Sequence, residues 1–203
     1  MPAHSRGDTS LRVRAALDGD HDSLGWLVAH LSPLLLAQAR WRLGSSLAHA
    51  AEPEDLVQEA WLVALPRLGE LAPRNGRLTP VLLRFLATSI VHRVNNLARE
   101  ALRRGGRAAQ AVSEADAVRD DRSGVVTAAI RAEQRGQLLA TIATLEPIDR
   151  EVLLLRGVEQ RSQQTTAELL GIGGDAVAMR YSRALARLRT CLPASLCDDL
   201  AAD

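Results

Sequence analysis

Lysine is absent from this chain of 203 residues, and all 25 of its basic residues are arginine. Every basic side chain is therefore a planar guanidinium that stays charged, a bias that either genome composition or phosphate-binding chemistry would produce. Aromatic residues are almost as scarce, with three Trp, one Tyr and one Phe, although 47 % of the chain is hydrophobic. The core must then be built from Leu, Ala and Val, which suits helices better than sheets. The predicted class is all-α. The two cysteines, Cys191 and Cys197, stand near the C-terminus at a spacing that matches no metal motif and read as a reduced pair. No apolar run is long enough to span a bilayer and no signal peptide opens the sequence, so the expected location is cytoplasmic, with no membrane partner. No two histidines are spaced to share a metal, His30 and His49 read as ordinary structural or surface residues, and no glycine loop follows a strand. Catalytic residues, cofactor, metal and small-molecule substrate are accordingly not expected.

The formal net charge of +1 looks unlike that of a nucleic-acid binder until it is divided along the chain. Residues 1–107 hold 14 Arg against 10 acids, residues 108–126 hold 2 against 4, and residues 127–203 hold 9 against 10. Within residues 175–189 there are four Arg and one acid. The positive charge is a local patch, which suffices for phosphate contacts.

That patch lies in the most informative stretch, residues 161–189, which reads as two short helices joined at Gly171. Ser162 is placed to cap the first, Ala167 and Leu170 point inward, and Gly171 can take the left-handed turn that ends it. Val177, Tyr181, Leu185 and Leu188 recur at helical steps on one buried stripe of the second helix. Arg180, Arg183 and Arg187 fall on another face. This is the layout of a helix-turn-helix whose second helix enters the major groove, and also of a plain helical hairpin with a solvated basic face. Asp175 can cap the second helix or complement its dipole.

Upstream, residues 11–17 can form a short helix, with Asp22 or Ser23 opening the next, which runs to Gly44 with a kink at Pro33. Residues 51–68 form a helix with Leu56, Val57, Ala60 and Val63 inward, leaving Asp55, Gln58, Glu59 and Leu62 outward, a face that could simply be solvated. Residues 71–79 have the Pro, Asn and Gly of a loop. A long helix over residues 80–104 follows. Its apolar side includes Phe85, Leu86, Ile90, Val94, Leu97 and Leu102, and its polar stripe is His92, Asn96, Arg99 and Arg103. Residues 105–126 lack apolar periodicity and read as a flexible linker. They divide the chain into helical domains at 8–104 and 127–192, with a short tail at 193–203.

Leu145, Pro147, Asp149 to Arg156, Ser162, Ala167, Leu170 to Ile172, Val177, Arg180 and the ending Ser182 to Arg189 resemble the promoter-recognition domain of RNA polymerase sigma factors of the extracytoplasmic-function class. The run EDLVQEAWLVAL resembles the segment of that family that binds the clamp helices of the polymerase largest subunit, and RVNNLAREALRR its helix for the opened promoter strand. The resemblance implies two small helical domains on a flexible linker, with core RNA polymerase and promoter DNA as partners, and the class admits an anti-sigma protein as a further one. It places polymerase binding on Asp55, Gln58, Glu59 and Leu62. On the long helix it matches Asn96, Glu100, Arg103 and Arg104, and together with the polar stripe this assigns the downstream promoter element to Arg74, Asn75, Arg77, His92, Asn96, Arg99 and Arg103, and the upstream element to Asp175, Ala178, Met179, Arg180, Arg183 and Arg187. Departures from the family pattern stand at Leu62, Ser89, Thr165, Thr166, Gly173 and Ala178. A helix-turn-helix regulator that never joins the polymerase is the alternative reading.

Overall fold

The computed structural model describes residues 8–104 and 125–201, and every regular element among them is helical. In chain order these are α1 (Asp8–Leu17), α2 (His21–Leu43), α3 (Pro53–Ala64), a 3-10 turn (Leu65–Glu70) and α4 (Thr79–Arg104). Then come α5 (Val125–Ala143), α6 (Pro147–Val152), a π-helical turn (Leu153–Val158), α7 (Gln163–Leu170), α8 (Gly174–Leu188) and α9 (Ala194–Ala201). The expected linker lies outside the described residues except for Val125 and Val126, which already belong to α5.

The position of α2 follows from its composition. From Pro33 to Ala39 every residue is buried, whichever way it points. A helix apolar on all sides belongs in the middle of a bundle, and α2 packs against α1, α3 and α4 from the first half of the chain and against α5 and the π-helical turn from the second. Leu27, Leu31, Leu34 and Leu35 are fully buried, each removing enough apolar surface to contribute about 1.5–3 kcal/mol. Pro33 withholds one N–H from the ladder, yet the helix continues to Leu43. Its cap is Asp20, whose carboxylate accepts from the N–H groups of Asp22 at 3.3 Å and Ser23 at 3.2 Å. The start precedes the expected Asp22 or Ser23 because Gly19, at φ 91°, ends α1 and leaves Asp20 extended.

Leu56, Val57, Ala60, Trp61 and Ala64 form the buried stripe of α3, which faces α4 and α2. Trp61 replaces the expected Val63, which is 39 % exposed. The larger indole reaches α2, where its Nε1 donates to Ser32 Oγ at 3.0 Å. On α4 the apolar stripe holds from Leu82 to Leu97, whereas Leu102 is 82 % exposed, since no described element continues over that end of the helix. Between the 3-10 turn and α4, Asn75 (φ 50°) and Gly76 (φ 77°) make a tight turn closed by paired backbone bonds between Arg74 and Arg77 at 3.0 and 2.9 Å. Asn-Gly is the pair best suited to two successive left-handed positions.

In the second half, Pro147 opens α6, and the helix then widens so that the Glu159 N–H reaches the Leu154 carbonyl at 2.9 Å. Leu153, Leu154, Leu155 and Val158 are all buried there. Gly157 is needed at this point: a Cβ would stand 3.1 Å from the Tyr181 hydroxyl, which itself donates to the Leu200 carbonyl at 2.6 Å.

Leu200 belongs to α9, so the expected tail is a packed helix. Leu196, Cys197, Asp199 and Leu200 are buried against α1, α4, α8 and the π-helical turn. Burial also pushes the Cys197 thiol up to about 11, so it stays protonated. Neither Asp199 oxygen makes a well-formed hydrogen bond among the described residues, and the Thr79 and Ser10 hydroxyls are its weak polar neighbours. The nearest cation is Arg77, at 3.8 Å. Burial raises the Asp199 pKa by more than the Thr79 and Ser10 hydroxyls and Arg77 lower it. An acid whose pKa is raised by folding stabilises most while protonated, and that contribution is lost as pH climbs from the ordinary value of about 3.9 through the folded one. Asp199→Asn should therefore melt higher than the parent at pH 7, with the difference closing as pH falls to about 4. A lower melting midpoint at pH 7 would show that the carboxylate is compensated after all.

Candidate nucleic-acid interface

The helix-turn-helix is built from local signals. Ser162 Oγ accepts from the Thr165 N–H at 3.0 Å, capping α7. Gly171 ends it in the left-handed conformation at φ 65°. On α8, Val177, Tyr181, Ala184, Leu185 and Leu188 are buried, and the opposite side carries Ala178, Met179, Arg183 and Arg187 exposed to solvent. The backbone of Gly173 caps α8, and Asp175 sits in its first turn without making a cap bond, where its charge complements the helix dipole.

Two of the three arginines expected to face DNA are already engaged. Asp149 of α6, 4 % exposed, accepts from Arg180 Nη1 at 2.7 Å, from Arg183 Nε at 2.9 Å and from Arg183 Nη2 at 3.0 Å. Burial alone would raise the Asp149 pKa, but the hydrogen bonds from Arg183 and Arg180 together outweigh it and hold the carboxyl below its ordinary value. Arg183 therefore spends Nε and Nη2 on the fold while its side chain stays 51 % exposed, and Arg187 makes no ion pair among the described residues.

On α3, Asp55, Glu59 and Leu62 are exposed at steps of four and three, forming one ridge, with Gln58 half-buried beside it. Leu62 is 63 % exposed. Glu59 pairs with Arg93 of α4 at 3.1 Å, whereas Asp55 has no ion pair among the described residues. Along α4, His92, Asn96, Arg99 and Arg103 are all exposed, and Arg99 donates to Asn96 Oδ1 at 2.8 Å. Between α3 and α4 a groove is lined by Val63, Phe85, His92 and Asn96.

In the loop, Arg74 and Asn75 are exposed, but Arg77 is half-buried and donates to the Asp198 carbonyl at 3.1 Å. It is largely spent on holding α9. The same loop is brought against the start of α7, where Arg84, Arg156 and Arg161 join it around one cleft. Sequence reading missed those three because they lie far apart in the chain and on no common periodic stripe.

Comparison with known proteins bears on both halves. The family model described as sigma-70, region 4, matches residues 135–188. ShbA, an ECF RNA polymerase sigma factor of Streptomyces griseus, is 33 % identical over 181 residues, which cover 87 % of this chain and 91 % of ShbA. SigD, an ECF RNA polymerase sigma factor of Mycobacterium tuberculosis, is 30 % identical over 183 residues, covering 87 % of this chain and 80 % of SigD. Among solved structures, CnrH in complex with the cytosolic domain of CnrY aligns over 90 % of this chain and 95 % of its own, at 21 % identity and a TM-score of 0.37.

The Asp149 cluster can be tested by pH. A carboxylate whose pKa is depressed by folding contributes stability above its unfolded pKa of about 3.9 and loses it as pH falls through the folded value. Asp149→Asn should cost about 2 kcal/mol at pH 7, less than the loss of a fully buried pair because both guanidiniums reach water. The deficit should shrink in acid below about pH 4. A deficit that stays constant from neutral to acid pH in thermal melts would remove the charge from the explanation.

Proposed function

The chain belongs to the extracytoplasmic-function sigma factors of RNA polymerase, and from that premise we propose how its helices divide the work. It binds core RNA polymerase and directs it to promoters. The observation that carries this reading is that the similarity to ShbA covers 87 % of this chain, so it takes in the first half as well as the helix-turn-helix. A regulator working apart from the polymerase would explain only the second half. The class acts by binding, so the free energy for opening DNA comes from contacts and not from a bond made or broken. We place the protein in the cytoplasm, with its polymerase and DNA. No described helix is long and apolar enough to cross a membrane. An anti-sigma protein is a further partner that the class admits.

Residues 8–104 form the unit for the polymerase and the downstream element, residues 127–192 the unit for the upstream element, and residues 105–126 the connection. The ridge of Asp55, Gln58, Glu59 and Leu62 docks on the clamp helices of the largest subunit. It joins an acidic rim, which steers and orients encounter, to an exposed leucine that can be buried on contact. Opened strand runs along His92, Asn96, Arg99 and Arg103, with Arg74 and Asn75 of the preceding loop. Arg77 contributes charge to that loop from its anchored position.

On α8, Arg187 and the outward edges of Arg180 and Arg183 meet duplex DNA beside Ala178 and Met179. The first turn of α8 offers Gly174, Asp175 and Ala176 and no long donor, so base reading is thin and phosphate contact dominates. Binding by this unit is then steeply salt-dependent.

Reversing Asp55 and Glu59 to Arg together should weaken core-polymerase binding at least about tenfold and abolish promoter-directed run-off transcription, with the helical circular-dichroism signal intact. Full run-off activity and unchanged pull-down of core polymerase by the double variant would move the docking surface elsewhere.

A further inference from the structure

The cleft of about 600 Å³ between the two halves is not explained by the contacts assigned above. One wall carries Arg74, Arg77 and Arg84 from the turn and α4, and the other carries Arg156, Arg161 and the first turn of α7. No acidic side chain among the described residues lines it. The acids that approach Arg161 and Arg77 are already committed or buried. Glu159 approaches Arg161 at 3.4 Å but is held by the Arg42 fork at 2.7 and 2.6 Å. Asp199 stands 3.8 Å from Arg77 and is buried where ionisation is opposed. Arg74 and Arg84 make no ion pair among the described residues.

Like charges gathered around one space repel, and the repulsion is relieved by an anion seated among them. The start of α7, where Ser162 Oγ takes the Thr165 N–H, adds a positive dipole end on the same side. A volume of this size falls in the range of small-ligand sites. The one aromatic ring in the lining, Tyr181, is buried beneath the Arg156 guanidinium at 5.3 Å and offers no face for a base to stack on.

We propose that this cleft binds a chain of phosphates, as carried by inorganic polyphosphate or by a nucleoside triphosphate, gripped by arginines from both halves at once. Because each half supplies one wall, occupancy holds the halves together and raises the melting midpoint by mass action. It also engages Arg74 and Arg77, so a bound phosphate chain competes with the opened promoter strand for the loop.

The test is calorimetric titration of the full chain with sodium tripolyphosphate, in buffer free of phosphate and sulfate. One saturable site per chain is expected. Arg84→Ala and Arg161→Ala, from opposite walls, should each weaken it about tenfold, the loss typical of a charge-assisted contact. Arg14→Ala, on the exposed side of α1, should leave binding unchanged. If Arg161→Ala melts early through its contact with Glu159, Arg161→Gln and Arg74→Ala replace it. Equal affinity for GTP identifies the phosphate chain alone as the recognised group, and tighter GTP binding identifies the nucleotide as the source. Absence of saturable heat overturns the proposal, as does weakening by the variants of one wall only. Tighter binding of a single-stranded oligonucleotide through the same arginines also overturns it, since the cleft is then part of a nucleic-acid track. None of these readouts involves polymerase, so failure here leaves the sigma-factor reading standing.

Discussion

A buried carboxylate stands where the two halves of the chain meet, and the best-paired polar link between them is built on it. Glu159, 5 % exposed, lies just after the π-helical turn and accepts from Arg42 Nε and Nη2 at 2.7 and 2.6 Å and from Gln38 Nε2 at 3.1 Å. Gln38 is itself fully buried and also donates to the Ala87 carbonyl of α4 at 3.2 Å, while its Oε1 has no partner. A buried charge is tolerated only where it is paired and hydrogen-bonded. Such a cluster adds little net stability compared with apolar packing, but it penalises every other register. Slide α2 by one residue against the second half and the Arg42 fork, the Gln38 amide and the Glu159 carboxylate no longer meet. The π-helical turn makes sense in that light: widening the helix brings Glu159 to the place where α2 can receive it.

The same device recurs where Asp149 fixes α6 to α8 through Arg180 and Arg183, and Arg77 holds the loop before α4 to α9 by donating to the Asp198 backbone carbonyl. A chain whose only long cations are guanidiniums uses them for two tasks at once. One edge of the planar fork serves the fold and the other remains available to phosphate. Arginines that serve as internal ties have their orientation fixed before any ligand arrives, which lowers the entropy lost on binding.

Much of the architecture was legible because it is local. The Ser162 cap, the left-handed Gly171, the buried stripe of α8 and the outward ridge of Asp55, Glu59 and Leu62 each depend on residues within a few turns of one another. What the sequence hid depends on partners far away. The eight residues of α9 look like a tail until α1 and α4 cover them. Arg180 and Arg183 look free for DNA because Asp149 lies 31 and 34 positions away. Val63 was expected inward but lies 39 % exposed, because Trp61 fills that side of α3 and its indole reaches Ser32 on another helix. The run of buried residues from Pro33 to Ala39 was the overlooked clue, since an element apolar on every side must be covered on every side.

That covering makes one quantity decisive, the size of the free chain in solution. A compact chain of this length has a radius of gyration of about 17 Å. Small-angle scattering of the parent should give a value near that, and Glu159→Ala, which leaves Arg42 and Gln38 unpaired between the halves, should give a clearly larger one with the same helical content. A parent already as extended as the variant would contradict the central claim that Glu159 binds the two halves into one body.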